Sequence, residues 1–244
     1  MHPILFTIGP IKIYSYGVML AVAFLVSLNL ASTRCVLFNI KRDIFSTLVI
    51  ILLVSGIVGA RMVYVLSNLD FFIQYPLDVF MINRGGLVFY GALILSPVFG
   101  IAYAKKAGIS IPDAADLLAP FIALGHSIGR IGCFLNGCCF GRPTDSIFGV
   151  QFPFSPVKVY PTQLFSSAGL FCIFLVLFFI QKRRRFKGQI IALYLVMYGV
   201  FRFFIEFLRG DLAPLFYSLS LTQIISIISV ASGILLFYIS KRYE

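Results

Sequence analysis

Apolar residues dominate seven stretches of the chain, at 14–33, 45–66, 87–104, 113–128, 161–180, 188–208 and 218–239. The charged or imidazole side chains inside them are few: Arg61, Asp113, Asp116, His126, Arg202 and Glu206. Each stretch approaches the roughly 20 helical residues that cross a hydrocarbon core of about 30 Å. The pattern therefore predicts an all-α polytopic membrane protein with seven transmembrane helices, built as a single domain over 1–244. The segment before the first stretch, MHPILFTIGPIKI, carries one lysine and leads to no small-residue cleavage site, so the first helix is expected to be retained.

Composition strengthens this picture. Of 244 residues, 60% are hydrophobic and 12% charged, with a mean hydropathy of +0.99, which excludes an ordinary soluble domain. An odd number of spans puts the two termini on opposite faces, and the basic residues then orient the chain. Arg34, Lys41, Arg42, Lys105, Lys106, the run at 182–187, Lys241 and Arg242 form compact clusters on one face. Lys12, Arg61, Arg84, Arg130, Arg142, Lys158, Arg202 and Arg209 are scattered on the other. The clustered face is expected to be cytoplasmic, the N-terminus outside and the C-terminus inside. The net charge of +11 invites a nucleic-acid reading of QKRRRFKG, at 181–188. That run abuts a span and is better explained by anionic headgroups. The outer connection at 67–86 is too apolar and aromatic for a solvated loop and is expected to form an interfacial segment.

Outer-face cations need a reason to be there, because a charge in or near a bilayer is costly without a partner. Arg202, Glu206 and Arg209 are spaced i, i+4 and i+7, on one helical face, so one acid can serve two arginines and leave a positive pocket. Such a cluster either anchors a helix end or binds phosphate, for which a planar guanidinium is suited. His126 and Arg130 are likewise i, i+4, and a lone histidine here serves as a hydrogen-bonded structural residue or as a base. They lead into GRIGCFLNGCCFG at 129–141, whose glycines at 129, 132, 137 and 141 permit tight turns and close approach. Of five cysteines, Cys35 and Cys172 lie in spans as packing residues. Cys133, Cys138 and Cys139 are spaced C-x4-C-C, which matches no common zinc signature, and the absence of CxxC weakens a redox reading. No metal and no cofactor is expected.

These residues carry a resemblance. The chain resembles the prolipoprotein diacylglyceryl transferase family in IYSYGVM at 13–19, GGLVFYGAL at 85–93, DLLAPFIALGHSIGRIGCFLNGCCFGRPT at 116–144, YPTQLF at 160–165 and RFFIEFLRGD at 202–211. The resemblance implies transfer of diacylglyceryl from phosphatidylglycerol to the lipobox cysteine of a preprolipoprotein, forming a thioether and releasing glycerol phosphate. It implies a multi-pass protein of the bacterial cytoplasmic (inner) membrane, its site towards the outer (periplasmic) face. It makes Arg130 and Arg209 the catalytic arginines, with Tyr90 and His126 as further catalytic candidates: either Tyr90 orients the lipid by hydrogen bonding, or deprotonation falls to His126 or water. Tyr16, Gly85, Gly86 and Gly141 match other motif positions of the family, and with Asp116, Cys133, Asn136, Cys138, Arg202 and Glu206 they are the expected substrate-binding residues. Three positions depart from the family pattern: Tyr90 stands where a histidine is usual, Cys133 where asparagine is common and Cys138 where glutamate is. These departures leave two alternatives, a paralogous phospholipid-dependent transferase with another acceptor, or a membrane thiol oxidoreductase using Cys138 and Cys139. The expected partners are phosphatidylglycerol, the lipobox segment and the bilayer, with no nucleic acid.

Overall fold

The structure is a computed structural model that describes residues 2–9, 11–81, 85–153, 155–209 and 219–242. A hairpin of β1 (Ile4–Ile8) and β2 (Ile11–Tyr14) opens into α1 (Ser15–Arg34). Next come α2 (Arg42–Leu66), α3 (Leu69–Gln74), α4 (Phe89–Lys106) and α5 (Ile111–Asn136). A second small hairpin, β3 (Val150–Gln151) with β4 (Lys158–Val159), precedes α6 (Thr162–Ile180), α7 (Gln189–Glu206) and α8 (Leu221–Arg242). The all-α membrane reading holds. Six of these helices are long and apolar enough to cross a bilayer. The seventh predicted span is α4, whose 18 residues end in Lys105 and Lys106. The chain divides into two compact units, 1–34 with 115–244, and 35–114.

In the first unit, small residues set the helix contacts. A Cβ on Gly132 of α5 would lie 3.0 Å from Met19 Cβ and 3.3 Å from the Tyr16 ring of α1, and one on Gly125 would lie 3.2 Å from Ser27 Oγ. Without a hydrophobic drive inside lipid, such close backbone approach is what packs helices together. This accounts for a difference from expectation. Gly129 and Gly132 do not turn the chain, and α5 continues past 128 to Asn136. The turn comes at Gly137, with φ of +76°. Between α5 and α6, Ser127 Oγ donates to the Ser167 carbonyl at 2.8 Å. Gly199 and Gly233 admit α8 against α7.

Opposite ends of this unit differ in chemistry. At one, the Arg34 guanidinium lies 3.7 Å over the Phe178 ring. There too Asp116, fully buried, accepts from the amides of Gly188 (2.7 Å) and Ile191 (2.9 Å) and from Arg184 Nη1 (3.1 Å). The carboxylate thus caps the N-terminus of α7 from a neighbouring helix, satisfying donors that the helix leaves open.

In the second unit, α2 and α4 meet at Gly59 and Gly91, where a Cβ on either would collide with the other's carbonyl. Ser96 Oγ adds a bond to the Leu52 carbonyl at 2.9 Å. The connection expected at 67–86 is α3 followed by a 3₁₀ turn, Pro76–Phe80. Ile73, Leu77 and Phe80 are its most exposed apolar side chains. Arg84 lies outside the described residues. Arg61 organises the rest of the segment. It is buried and donates to the carbonyls of Asp78 (2.5 Å), Gly85 (2.8 Å), Val79 (2.9 Å) and Gly86 (3.0 Å). Its guanidinium also sits 5.4 Å from the ring centres of both Tyr64 and Phe72. Gly86, at φ +79°, has no room for a side chain, since a Cβ would strike the Tyr64 ring and Arg61 Nη1.

Arg61→Ala removes the donor shared by five carbonyls, those four and, at 3.4 Å, that of Met81, and is expected to cost roughly 3 kcal/mol locally. Limited proteolysis of detergent-solubilised protein should then cut within 67–86 at least about tenfold faster. Gly86→Ala should do the same; unchanged cleavage in both variants would show that Arg61 does not hold the segment.

Candidate active site

The last three turns of α5 present His126, Arg130 and Cys133 at i, i+4 and i+7, one helical face. Arg130 Nε donates to His126 Nε2 at 3.2 Å. An imidazole nitrogen that accepts must carry its lone pair, so His126 is held neutral with its proton on Nδ1. Its ring lies 5.8 Å from that of Tyr198 on α7. One turn further along α7, Arg202 pairs with Glu206, Nη2 to Oε2, at 3.0 Å.

The expected arrangement of Arg202, Glu206 and Arg209 on one helical face is only partly found. The helix ends at Glu206, and Arg209 lies beyond it in an extended bridge with Gly141. The other Glu206 oxygen accepts from Ser220 Oγ at 2.8 Å. Ser220 and Gln223 form a reciprocal capping box at the start of α8. Ser220 N donates to Gln223 Oε1 (2.9 Å), and Gln223 N donates to Ser220 Oγ (3.2 Å). Arg202 interacts electrostatically with both Arg130 and Arg209. Arg202 is thus the guanidinium paired with Glu206, and the charges of Arg130 and Arg209 lie near enough to act on it. Gly210 and Asp211 lie outside the described residues.

Gly141 explains how Arg209 is brought in. Its Cβ would collide with the Leu208 carbonyl and lie 2.8 Å from Thr162 Cγ2, so only glycine lets the two segments pair. The Gly141 amide donates to Tyr160 O (2.8 Å), and that of Arg142 to Leu208 O (2.9 Å).

The same segment gathers the cysteines. Chain reversal at Gly137 and a left-handed Cys139, at φ +62°, bring the sulfurs of Cys133, Cys138 and Cys139 within 4.8 Å of one another. The unusual backbone is clamped from α6: Gln163 Nε2 donates to Cys138 O (2.7 Å) and Thr162 Oγ1 to Cys139 O (2.9 Å). Asn136 hydrogen-bonds the Cys138 thiol, whose pKa is raised, chiefly by burial. Cys139 is pushed down to about 5, first because the Cys133 thiol donates to its sulfur and then, against burial, through Cys138 and the charges of Arg209 and Arg130. Tyr16 lies close enough to interact with all three cysteines and with Arg130.

Tyr90, Gly85 and Gly86 belong to the second unit, where Tyr90 is half-exposed in the first turn of α4. Asp116, expected in substrate binding, stands well apart from Arg130. It precedes Arg130 by fourteen helical residues, about 21 Å along α5, and its carboxylate caps α7. Nothing in the sequence marked Tyr198 or Ser220 for the site. Thr162 and Gln163 lie within YPTQLF, one of the strings that carried the family resemblance, and their part is to hold the cysteine turn.

The profile of the prolipoprotein diacylglyceryl transferase family matches residues 3–239. The chain belongs to this family. Among the similar proteins of the family are three phosphatidylglycerol–prolipoprotein diacylglyceryl transferases. That of Clostridium tetani is 34% identical over 99% of this chain and 98% of its own length. Enzyme 2 of Clostridium perfringens is 36% identical over 99% and 96%, and the Finegoldia magna protein 33% over 97% and 94%. Membership in the diacylglyceryl transferase family fits a membrane bundle whose cationic cluster stands at one end.

Two outcomes follow from this geometry. Asp116→Ala leaves the α7 amides without their acceptor and should cost roughly 3 kcal/mol, read as a lower melting temperature in detergent, with transfer per folded molecule unchanged. A loss of transfer at unchanged melting temperature would return Asp116 to the site. Iodoacetamide should alkylate Cys139, in protein handled in EDTA, at a rate nearly flat from pH 6.5 to 8.5, because its thiolate already forms above about pH 5. An ordinary thiol speeds up well over tenfold across that range, and such a rise, followed by peptide mass spectrometry, would show Cys139 to be unperturbed.

Proposed function

We propose that this protein transfers the diacylglyceryl group of phosphatidylglycerol to the lipobox cysteine of preprolipoproteins. The observation that carries the reading is that Arg130, Arg202 and Arg209 lie near enough to interact electrostatically, with Arg202 paired to Glu206. The acceptor thiol gives its proton to solvent, its sulfur attacks the glyceryl carbon that bears phosphate, the C–S bond forms, and the C–O bond breaks with its electrons leaving on glycerol phosphate. Arg130 and Arg209 bind the phosphate oxygens and stabilise the charge that gathers there. Arg202, fixed by Glu206, adds its field. His126 positions Arg130 through Nε2, the atom a base would need. The family resemblance also makes the Tyr90 hydroxyl, in the second unit, a candidate for orienting the lipid. The site faces the outer side of a bacterial cytoplasmic membrane that the chain crosses seven times, with the N-terminus outside; the basic clusters at the opposite helix ends support this orientation.

Purified protein, phosphatidylglycerol vesicles and a lipobox peptide should yield a peptide heavier by one diacylglyceryl group, detected by mass spectrometry; no such product would end the proposal. Arg130→Ala and Arg209→Ala should each lower the rate by roughly a hundredfold or more. His126→Gln, whose amide oxygen still accepts from Arg130, should keep most of the activity that His126→Ala loses. Equal loss in the two would argue for an imidazole proton relay instead, and full activity in Tyr90→Phe would remove that hydroxyl from the site.

A further inference from the structure

Three thiols that converge on one point, close to two guanidinium groups, are more than the phosphate chemistry requires. The sulfurs of Cys133, Cys138 and Cys139 lie within 4.8 Å of one another. Three thiolates bound tetrahedrally at about 2.3 Å would stand about 3.8 Å apart, so the ligand set closes by about an ångström of side-chain adjustment. The backbone that presents it is already fixed by Gln163 and Thr162. The left-handed turn at Cys139 is the kind of strained conformation that persists at functional sites. Soft sulfur ligands select a soft d¹⁰ cation. Charge agrees as well: a divalent ion with three thiolates carries a net −1, and Arg130 and Arg209 interact electrostatically with this cluster.

We propose that Cys133, Cys138 and Cys139 form a three-thiolate Zn²⁺ site whose fourth position takes the acceptor cysteine. Binding Zn²⁺ releases to solvent whatever protons the three cysteines still carry. Three protein ligands with one open position is the arrangement of zinc sites that act on a substrate rather than merely staple a fold. The incoming lipobox thiol enters that position as a thiolate, losing its proton to solvent. The sulfur then forms its bond to the glyceryl carbon as the C–O bond to phosphate breaks. The neutral thioether is a poor ligand, and it leaves the metal without any change in oxidation state. This role for the acceptor rests on the transferase reading; the metal site itself does not.

The test uses the full-length protein in detergent. Purified without chelator, it should hold about one equivalent of zinc by elemental analysis, reduced at least about tenfold in Cys133→Ser and Cys139→Ser. Zinc should also shield the three thiols of the wild-type protein from iodoacetamide, an effect reversed by EDTA and independent of whether the variants fold. Cobalt in place of zinc should show thiolate-to-metal charge transfer, and a lipobox peptide should shift the cobalt spectrum where its cysteine-to-serine form does not. Thioether formation by a preparation that binds neither zinc nor cobalt, or that carries a disulfide among these cysteines, would overturn the inference and leave the transferase reading standing. A cobalt spectrum that ignores the peptide would overturn the acceptor role. A response to the cysteine peptide with no thioether product would uphold the site and count against the transferase reading.

Discussion

A guanidinium at the end of a membrane bundle must be held in place without being neutralised, and the first unit is arranged around that constraint. A carboxylate directly on Arg130 would anchor it but cancel the field a phosphate needs, since two unit charges in contact at a partly buried site interact by several kcal/mol. The observed partner is the neutral imidazole of His126, which accepts one hydrogen bond and adds no charge. The carboxylate of Glu206 is taken up by Arg202 and by Ser220 at the start of α8. Anchoring and charge are thereby separated: the acid ties α7 to α8, and Arg130 is held by a neutral partner.

Close backbone approach is the second requirement, and the glycines meet it in different ways. Gly132 brings α1 against α5, and Tyr16 with it. Gly141 allows the pairing that carries Arg209 to the cysteine turn. In the second unit Gly86 leaves space for Arg61. A site made of long cationic side chains needs small residues beneath it, because each arginine is placed by the backbone it can reach.

The helices were legible because a bilayer demands about 20 apolar residues of each, and that demand writes a long, simple pattern. The site was legible in part. Helical periodicity alone joined His126 to Arg130 and Arg202 to Glu206. It failed for Arg209, because α7 stops at Glu206 and an i+7 spacing past a helix end places nothing on a face. The capping contacts of Asp116 were not legible, because a buried acid in a span looks the same at either end of its helix; its partners, the amides of Gly188 and Ile191, lie more than seventy residues away. Arg61 was counted as an outer cation without a reason, since its carbonyl partners lie 17–25 residues further along the chain, in a turn that no periodicity predicts. The cysteines were hardest of all. C-x4-C-C is not a zinc spacing on a regular element, and only the left-handed turns at Gly137 and Cys139 fold it into a cluster.

The cysteines and the arginines occupy one electrostatic neighbourhood, and each alters the other. With neutral thiols, the arginines act on the donor phosphate at full strength, and a Cys139 thiolate offsets one of them. A zinc ion with three thiolates carries the same net −1, yet fixes that charge on three rigid sulfurs instead of one, leaving the long guanidinium side chains to turn towards phosphate. The acceptor thiolate brings a further negative charge, and it does so beside the arginines that already hold the leaving group. Attraction between acceptor, arginines and phosphate then grows as the two substrates come together, whereas two anions meeting without the arginines would repel. In the proposed reaction, pairing Arg130 with a neutral imidazole rather than a carboxylate is what would let a thiolate and a phosphodiester be held at contact distance.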